Sequence, residues 1–177
     1  MLQAQIDLLV VEAQSGNTKA FECLVVYFHP QLLSFGLSLN SNRTVIDDAL
    51  QETWMSISRK LRTLKDPRAF KSWLFRVVRW RVIDLTKSKA SQYESLDEHL
   101  LQGGAEMSME LDESTLELRA LKQAIDQLAD SEKSVITLYY LAEFSVFEIS
   151  QILEIPEGTV KSRLNRVRNQ LQQIIVD

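Results

Sequence analysis

Glycine and proline are scarce in this chain, with 5 Gly and 3 Pro among 177 residues. These residues supply tight hairpin turns and phosphate-cradling loops, so turn-rich all-β folds and Gly-rich nucleotide sites are poorly supported. What remains is long uninterrupted sequence in which apolar residues recur at helical spacing. Leu2, Ile6, Leu9, Val10 and Ala13 outline a first helix that Gly16 stops. Asn17 can cap a second, with Phe21, Leu24, Val25 and Phe28 as its stripe, and Pro30 is expected to kink or break it. A third starts near Thr44 and carries Ile46, Leu50, Thr53, Trp54, Ile57, Leu61 and Leu64 on one face. Asp66–Pro67 joins an N-cap to a proline at the first helical position, which opens a fourth helix expected to end near Lys87.

From Ser88 to Asp112 the periodicity lapses. The stretch is acidic, contains Gly103–Gly104, and reads as a linker. Further helices follow, one over about 113–128, one after Ser131, and a final pair. The expected fold is all-α, with two small helical domains over 1–87 and 113–177 joined by an acidic linker over 88–112. The second domain ends in a helix-turn-helix. Two His and one Cys, Cys23, are too few for a structural zinc site or an internal disulfide, so neither metal nor cofactor is expected. No apolar run approaches the ~20 residues that span a bilayer, and Met1–Leu2 is not followed by the basic start of a signal peptide. A cytoplasmic protein without membrane insertion is expected.

The net charge of −4 argues against a nucleic-acid binder until the charges are located. Residues 59–91 hold 11 basic side chains against Asp66 and Asp84, whereas residues 92–132 hold 11 acidic ones against Arg119 and Lys122. Residues 156–177 are basic again, with Lys161, Arg163, Arg166 and Arg168. Charges beyond about 10 Å are screened at physiological salt, so local sign decides what a surface attracts. Two anion-binding patches separated by an acidic segment fit this pattern, although a charge run is by itself most often a solvated face.

The last pair of helices carries the sharpest signal. Ser145 and Glu148 make an S-x-x-E capping box for a helix that buries Val146, Ile149, Ile152 and Leu153. Pro156 blocks that helix, and Glu157-Gly158-Thr159 starts another. Val160, Leu164, Val167 and Leu171 then fall within about 60° of one another on the helical wheel. Ser162, Asn165, Arg166 and Asn169 face the opposite way, with Lys161 and Arg168 at one shoulder and Arg163 at the other. Short hydrogen-bonding side chains flanked by cations suit a helix lying in a major groove, where the middle reads base edges and the shoulders hold phosphates. Thr159 lies in the first turn, whose free N–H groups can bind a phosphate. A solvated amphipathic helix packed on its neighbour is the plainer alternative.

Phe144-Ser-Val-Phe-Glu-Ile-Ser-Gln-Ile-Leu-Glu-Ile-Pro-Glu-Gly-Thr-Val-Lys-Ser-Arg-Leu-Asn-Arg-Val-Arg168 resembles region 4 of bacterial sigma factors of the extracytoplasmic-function group, sigma-70 superfamily. The segment from Pro156 to Leu164 is the most specific part of the match. This chain has Glu154 where that family usually has a turn glycine, and Ser150 where it usually has alanine. A non-glycine residue in a left-handed turn costs about 1 kcal/mol, and serine is small enough for close packing, so the fold tolerates both.

The resemblance continues upstream. Asp48-Ala-Leu-Gln-Glu-Thr-Trp54 is similar to the family's polymerase-clamp motif, and Ala69-Phe-Lys-Ser-Trp-Leu-Phe-Arg76 to the stretch that opens and holds promoter DNA. On the third helix, Asp48, Gln51, Glu52 and Met55 project away from the apolar stripe and form the expected polymerase-binding patch. On the fourth, Phe70, Trp73, Leu74 and Val77 are the expected core. Arg68, Ser72, Arg76 and Arg79 share the far side, within about 80°. Trp80 borders that face, and cations beside aromatic rings are what single-stranded DNA needs. The family usually has a small or amide residue at Trp80, so here the ring either packs or meets a different downstream sequence.

The resemblance implies a promoter-specificity subunit without catalysis of its own. It would dock on the RNA polymerase core, place its last long helix on the upstream (−35) promoter element and help melt the downstream (−10) element. It also implies an anti-sigma protein as a further partner. No catalytic constellation competes, since His29 and His99 lie in separate segments. One alternative is a self-sufficient helix-turn-helix regulator that binds a palindrome as a dimer, which leaves the Arg/Trp helix unused. Another is a protein-interaction module whose basic helices bind acidic surfaces. The acidic linker, with Glu94, Asp97, Glu98, Glu106, Glu110, Asp112 and Glu113, is long enough to fold back on the basic faces, so a compact free chain with partly covered DNA-facing surfaces is expected.

Overall fold

The computed structural model describes residues 1–93, 123–125 and 127–176, and among these there are helices and turns but no strand. Four helices form the N-terminal half: α1 (Gln3–Gln14), α2 (Thr18–Leu39), α3 (Arg43–Lys60) and α4 (Phe70–Tyr93). The C-terminal half has α5 (Asp130–Ile136), which widens into a π-helical turn over Thr137–Leu141, then α6 (Val146–Leu153) and α7 (Glu157–Val176). The acidic stretch and the helix expected over 113–128 lie mostly outside the described residues.

Local chemistry sets the boundaries. Gly16 takes φ +98 between α1 and α2, a conformation costly to a side-chain-bearing residue. Asn17 and Asn42 then cap α2 and α3, accepting from the N–H groups of Ala20 and Val45. Asp66 accepts from the N–H of Arg68, and Pro67–Ala69 forms a 3₁₀ turn leading into α4. Two helices outrun their sequence-based expectations. α2 passes through Pro30 unbroken, because its neighbours hold Phe28, Leu32 and Phe35 in the core on both sides of the proline. α4 continues to Tyr93 rather than ending near Lys87.

α2 is also long and apolar enough, by length and composition, to cross a membrane, which corrects the expectation that no segment is. Here its Leu24, Phe28, Leu32 and Phe35 are core residues. Gly36 brings α3 close, for a Cβ added there would lie 2.7 Å from Cγ2 of the buried Ile46. Leu2, expected in the α1 stripe, is exposed, and only Ile6 and Val10 of that stripe are fully buried.

The two halves pack on one another. α2 meets α5 and the π turn, while α4 meets α6. Phe75 of α4 links them, with its ring centroid 5.4 Å from that of Phe35 and 5.0 Å from that of Phe144. This explains why the buried face of α4 is Phe70, Leu74, Phe75, Val78 and Val82, with Trp73 and Val77 only half-buried. A stripe read for one neighbour becomes wider when a second covers the adjacent side.

Candidate nucleic-acid interface

The sequence-based helix-turn-helix forms as expected. Ser145 and Glu148 complete the capping box: the N–H and hydroxyl of Ser145 donate to Oε2 of Glu148 at 2.9 and 2.7 Å, and the N–H of Glu148 donates back to Oγ of Ser145. Glu154 closes α6 in the left-handed conformation, φ 54 and ψ 45, and its N–H donates to the carbonyl of Ser150. Pro156 then accepts from the N–H groups of Thr159 and Val160 as α7 begins. Ile149, Ile152, Val160, Leu164 and Val167 are buried between the two helices and α5.

On α7, Lys161, Ser162, Asn165, Arg166, Arg168 and Asn169 are exposed, whereas Thr159 and Arg163 are half-buried. Lys161 lies 3.8 Å from Glu157. Three cations are tethered from within the C-terminal half. Arg163 donates to the carbonyl of Ser131 at 3.4 Å. Arg168 donates through Nε to the hydroxyl of Tyr140 at 3.0 Å and lies over the ring of Tyr139, 5.6 Å from its centroid. That hydrogen bond to Tyr140 is the main reason its guanidinium pKa is raised. Arg166 pairs with Glu132, whose side chain is only 6% exposed while that of Arg166 is 61% exposed. Glu132 also accepts from the N–H of Ala129, so one carboxylate both caps α5 and holds Arg166. The sequence predicts Arg166 among the outward, base-facing side chains and predicts no role for Glu132. The only trace of that role is a glutamate three residues after Ala129, ahead of an apolar run.

On α4, Arg76 and Trp80 are exposed one turn apart, with Trp80 54% exposed. Arg68 is exposed and doubly bonded to Asp66, and the side-chain bond from Arg68 is the main reason the Asp66 pKa is lowered. Ser72 is half-buried and donates to the carbonyl of Ala69. Arg79 departs from the outward position expected. Its side chain is 18% exposed and ion-paired at 3.0 Å with Glu154 of the other half. Lys71, which carried no expectation, points the same way: its ammonium donates to the carbonyl of Ala142 and lies 4.5 Å above the Phe144 ring. Burial is the main cause of its lowered pKa.

On α3, Asp48, Gln51, Glu52 and Met55 are exposed together. Glu52 pairs with Arg81 of α4 at 3.3 Å, and Glu52, Met55, Ser56, Arg59, Lys60 and Arg81 line a groove between the two helices. The groove beside the patch is thus of mixed charge. Among the described residues no group of three or more His, Cys, Asp or Glu is placed to hold a metal.

Two family models match in chain order, Sigma-70 region 2 over residues 24–92 and Sigma-70 region 4 over residues 118–171. The ECF RNA polymerase sigma factor SigW of Bacillus subtilis is 25% identical, covering 99% of this chain and all of its own length. The ECF RNA polymerase sigma-E factor of Escherichia coli K12 is 29% identical, covering 96% of this chain and 95% of its own. Among solved structures, the sigma factor RpoE in complex with the anti-sigma factor NepR from Bartonella quintana superposes with a TM-score of 0.71 at 25% identity, covering 89% of this chain and 97% of that one. CnrH in complex with the cytosolic domain of CnrY shares the fold, with a TM-score of 0.63 at 24% identity over 97% of both chains. The chain belongs to the sigma-70 family, in its extracytoplasmic-function group.

Proposed function

We propose that the two exposed basic helices divide promoter recognition between them in a chain that acts as a promoter-specificity subunit of RNA polymerase. The observation that carries this reading is the pair of family matches, region 2 then region 4, each on a half that presents such a helix. α7 enters the major groove of the upstream element. Ser162 and Asn165 meet base edges there, and Lys161, Arg163 and Arg168 meet phosphates, with Thr159 at the first turn. Arg166 positions the helix through Glu132 as well as facing the groove.

α4 takes the downstream element once it is single-stranded. Arg68 and Arg76 engage the backbone with Arg79 and Ser72 beside them, and Trp80 offers a ring on which a base can stack, worth about 1–3 kcal/mol. The α3 patch of Asp48, Gln51, Glu52 and Met55 docks on the polymerase core. The organisation into two functional domains over 1–87 and 113–177 belongs to the same proposal. The chain acts in the cytoplasm, carries no catalytic step of its own, and is held inactive by an anti-sigma protein, as the sigma factor RpoE is seen bound to NepR.

Run-off transcription with core polymerase, this chain and fragmented genomic DNA tests the reading. Discrete transcripts that require the chain are expected. Tight, symmetric protection of a palindrome by the chain alone, with no transcripts, would point instead to a self-sufficient regulator.

A further inference from the structure

Arg168 is held by two uncharged aromatic side chains. Its Nε donates to the hydroxyl of Tyr140 at 3.0 Å, and its guanidinium lies over the Tyr139 ring, 5.6 Å from the centroid. The π turn over Thr137–Leu141 delivers both tyrosines, and such turns recur at functional sites. Neither partner cancels the positive charge. Arg166 instead shares its charge with the carboxylate of Glu132, and Lys161 lies 3.8 Å from that of Glu157. A guanidinium stacked on a ring and bound through Nε keeps its terminal N–H groups for another acceptor. The Tyr140 hydroxyl is poised in the same way. It accepts from Arg168, and among the described residues it donates to none, so its proton is available. Tyr140 is 55% exposed, and Arg168 is exposed on the same shoulder of α7 as Lys161.

We infer that the Tyr140 hydroxyl and the Arg168 guanidinium form a two-donor clamp on a single phosphate of duplex DNA. The proposal rests on the reading that α7 enters the major groove of the upstream element. The unesterified oxygens of a phosphate are anionic acceptors, so they match a pair of adjacent donors of which one is cationic. The hydroxyl and Nε are already in contact, so both donors meet one phosphate with little further ordering. The phenol adds a contact without charge or base preference beside a contact that carries charge. A carboxylate in place of the phenol would accept from Arg168 equally well, but it would repel the phosphate.

The test uses the full chain assembled with saturating core polymerase and two short labelled duplexes. One carries the upstream sequence of a transcript from the run-off experiment, and the other carries that sequence scrambled. Affinity is measured over a range of salt concentrations. Tyr140→Phe keeps the ring and removes the hydroxyl. Binding to both duplexes should weaken by the same factor, about three- to tenfold, with the salt slope unchanged. Tyr140→Glu should weaken both further and flatten the slope by about 0.9 of a charge, as Arg168→Ala should. Adding Tyr140→Phe to Arg168→Ala should cost less than it does in the unaltered chain, because the two donors share one phosphate. Full affinity in Tyr140→Phe would overturn the clamp, whatever its melting temperature, and so would an unchanged salt slope in Tyr140→Glu. A loss confined to the upstream sequence would make Tyr140 a base reader instead. Equal cost of Tyr140→Phe with and without Arg168 would mean two separate contacts and no clamp. If the unaltered assembly binds the upstream duplex no better than core polymerase alone, the promoter reading falls and the clamp with it, whereas the other failures leave that reading standing.

Discussion

α4 and α7 are both basic helices, proposed above to meet DNA, and they hold their arginines in opposite ways. Arg163, Arg166 and Arg168 of α7 are tethered to Ser131, Glu132 and Tyr140, all in their own half. Arg79 of α4 is tethered to Glu154 of the other half. The α7 surface is therefore set by the folding of its own domain and persists wherever that domain goes. Part of the α4 surface depends on where the other domain is. Pre-organisation of this kind lowers the ordering cost of binding, so α7 should be ready for duplex DNA before α4 is ready for a single strand.

Phe144→Ala strains this contrast most. It removes a buried ring that packs on Phe75 and Lys71, and a loss of about 3–5 kcal/mol in denaturant unfolding is expected. At temperatures where the variant stays folded, binding to duplex upstream DNA should survive while the halves separate. Loss of duplex binding in a folded variant would mean that α7 also depends on the other half.

Arg166→Ala and Glu132→Gln come next. Removing Arg166 leaves a nearly buried carboxylate with only the Ala129 N–H, so about 1–3 kcal/mol of stability should go with it. Glu132→Gln should weaken binding to every upstream sequence alike. An Arg166→Ala protein of unchanged stability but altered base preference would return Arg166 to the role of a free base reader.

Asp48→Lys with Glu52→Lys should lower stability by only about 1 kcal/mol, since both side chains are exposed and the Glu52–Arg81 pair that is lost lies at the surface. Pull-down of core polymerase should nevertheless fall at least about tenfold, the equivalent of roughly 1.4 kcal/mol. Undiminished capture would move the docking surface off α3. The smallest effect is expected for Arg76→Ala, which removes one exposed cation from α4. Circular dichroism should not change, and the salt dependence of single-strand binding should flatten by about 0.7 of a charge. A steeper loss would show that Arg76 supports Trp80 as well as the backbone.

Much of this was legible because helix ends carry local chemistry. Asn17, the Asp66–Pro67 pair and the Ser145/Glu148 box act within a turn of their own positions, so neighbours far along the chain hardly alter them. The outward set on α7 was legible for a similar reason, because that helix lies against its own half with one apolar stripe. What failed to show was long-range. Arg79 reads as outward from any window centred on α4, since its partner lies 75 residues away. Glu132 reads as one more acid in an acidic stretch. Pro30 reads as a breaker until the packing that carries α2 past it is known. The fold-back expected of the acidic linker falls outside the described residues, whereas closure of the two halves is made by residues that periodicity alone assigns to solvent.

The π turn over Thr137–Leu141 has a consequence for how this domain can change over time. In a regular helix consecutive side chains diverge by about 100°, yet Tyr139 and Tyr140 both reach Arg168, one through its ring and the other through its hydroxyl. A π turn is in effect a single-residue insertion absorbed without breaking the helix. Deleting one residue there would restore a regular spiral and keep the composition almost intact. It would also rotate everything that precedes the turn relative to everything that follows. One codon at this place therefore acts as a gear tooth, and its loss would turn the tyrosine pair away from Arg168 without touching α7 itself.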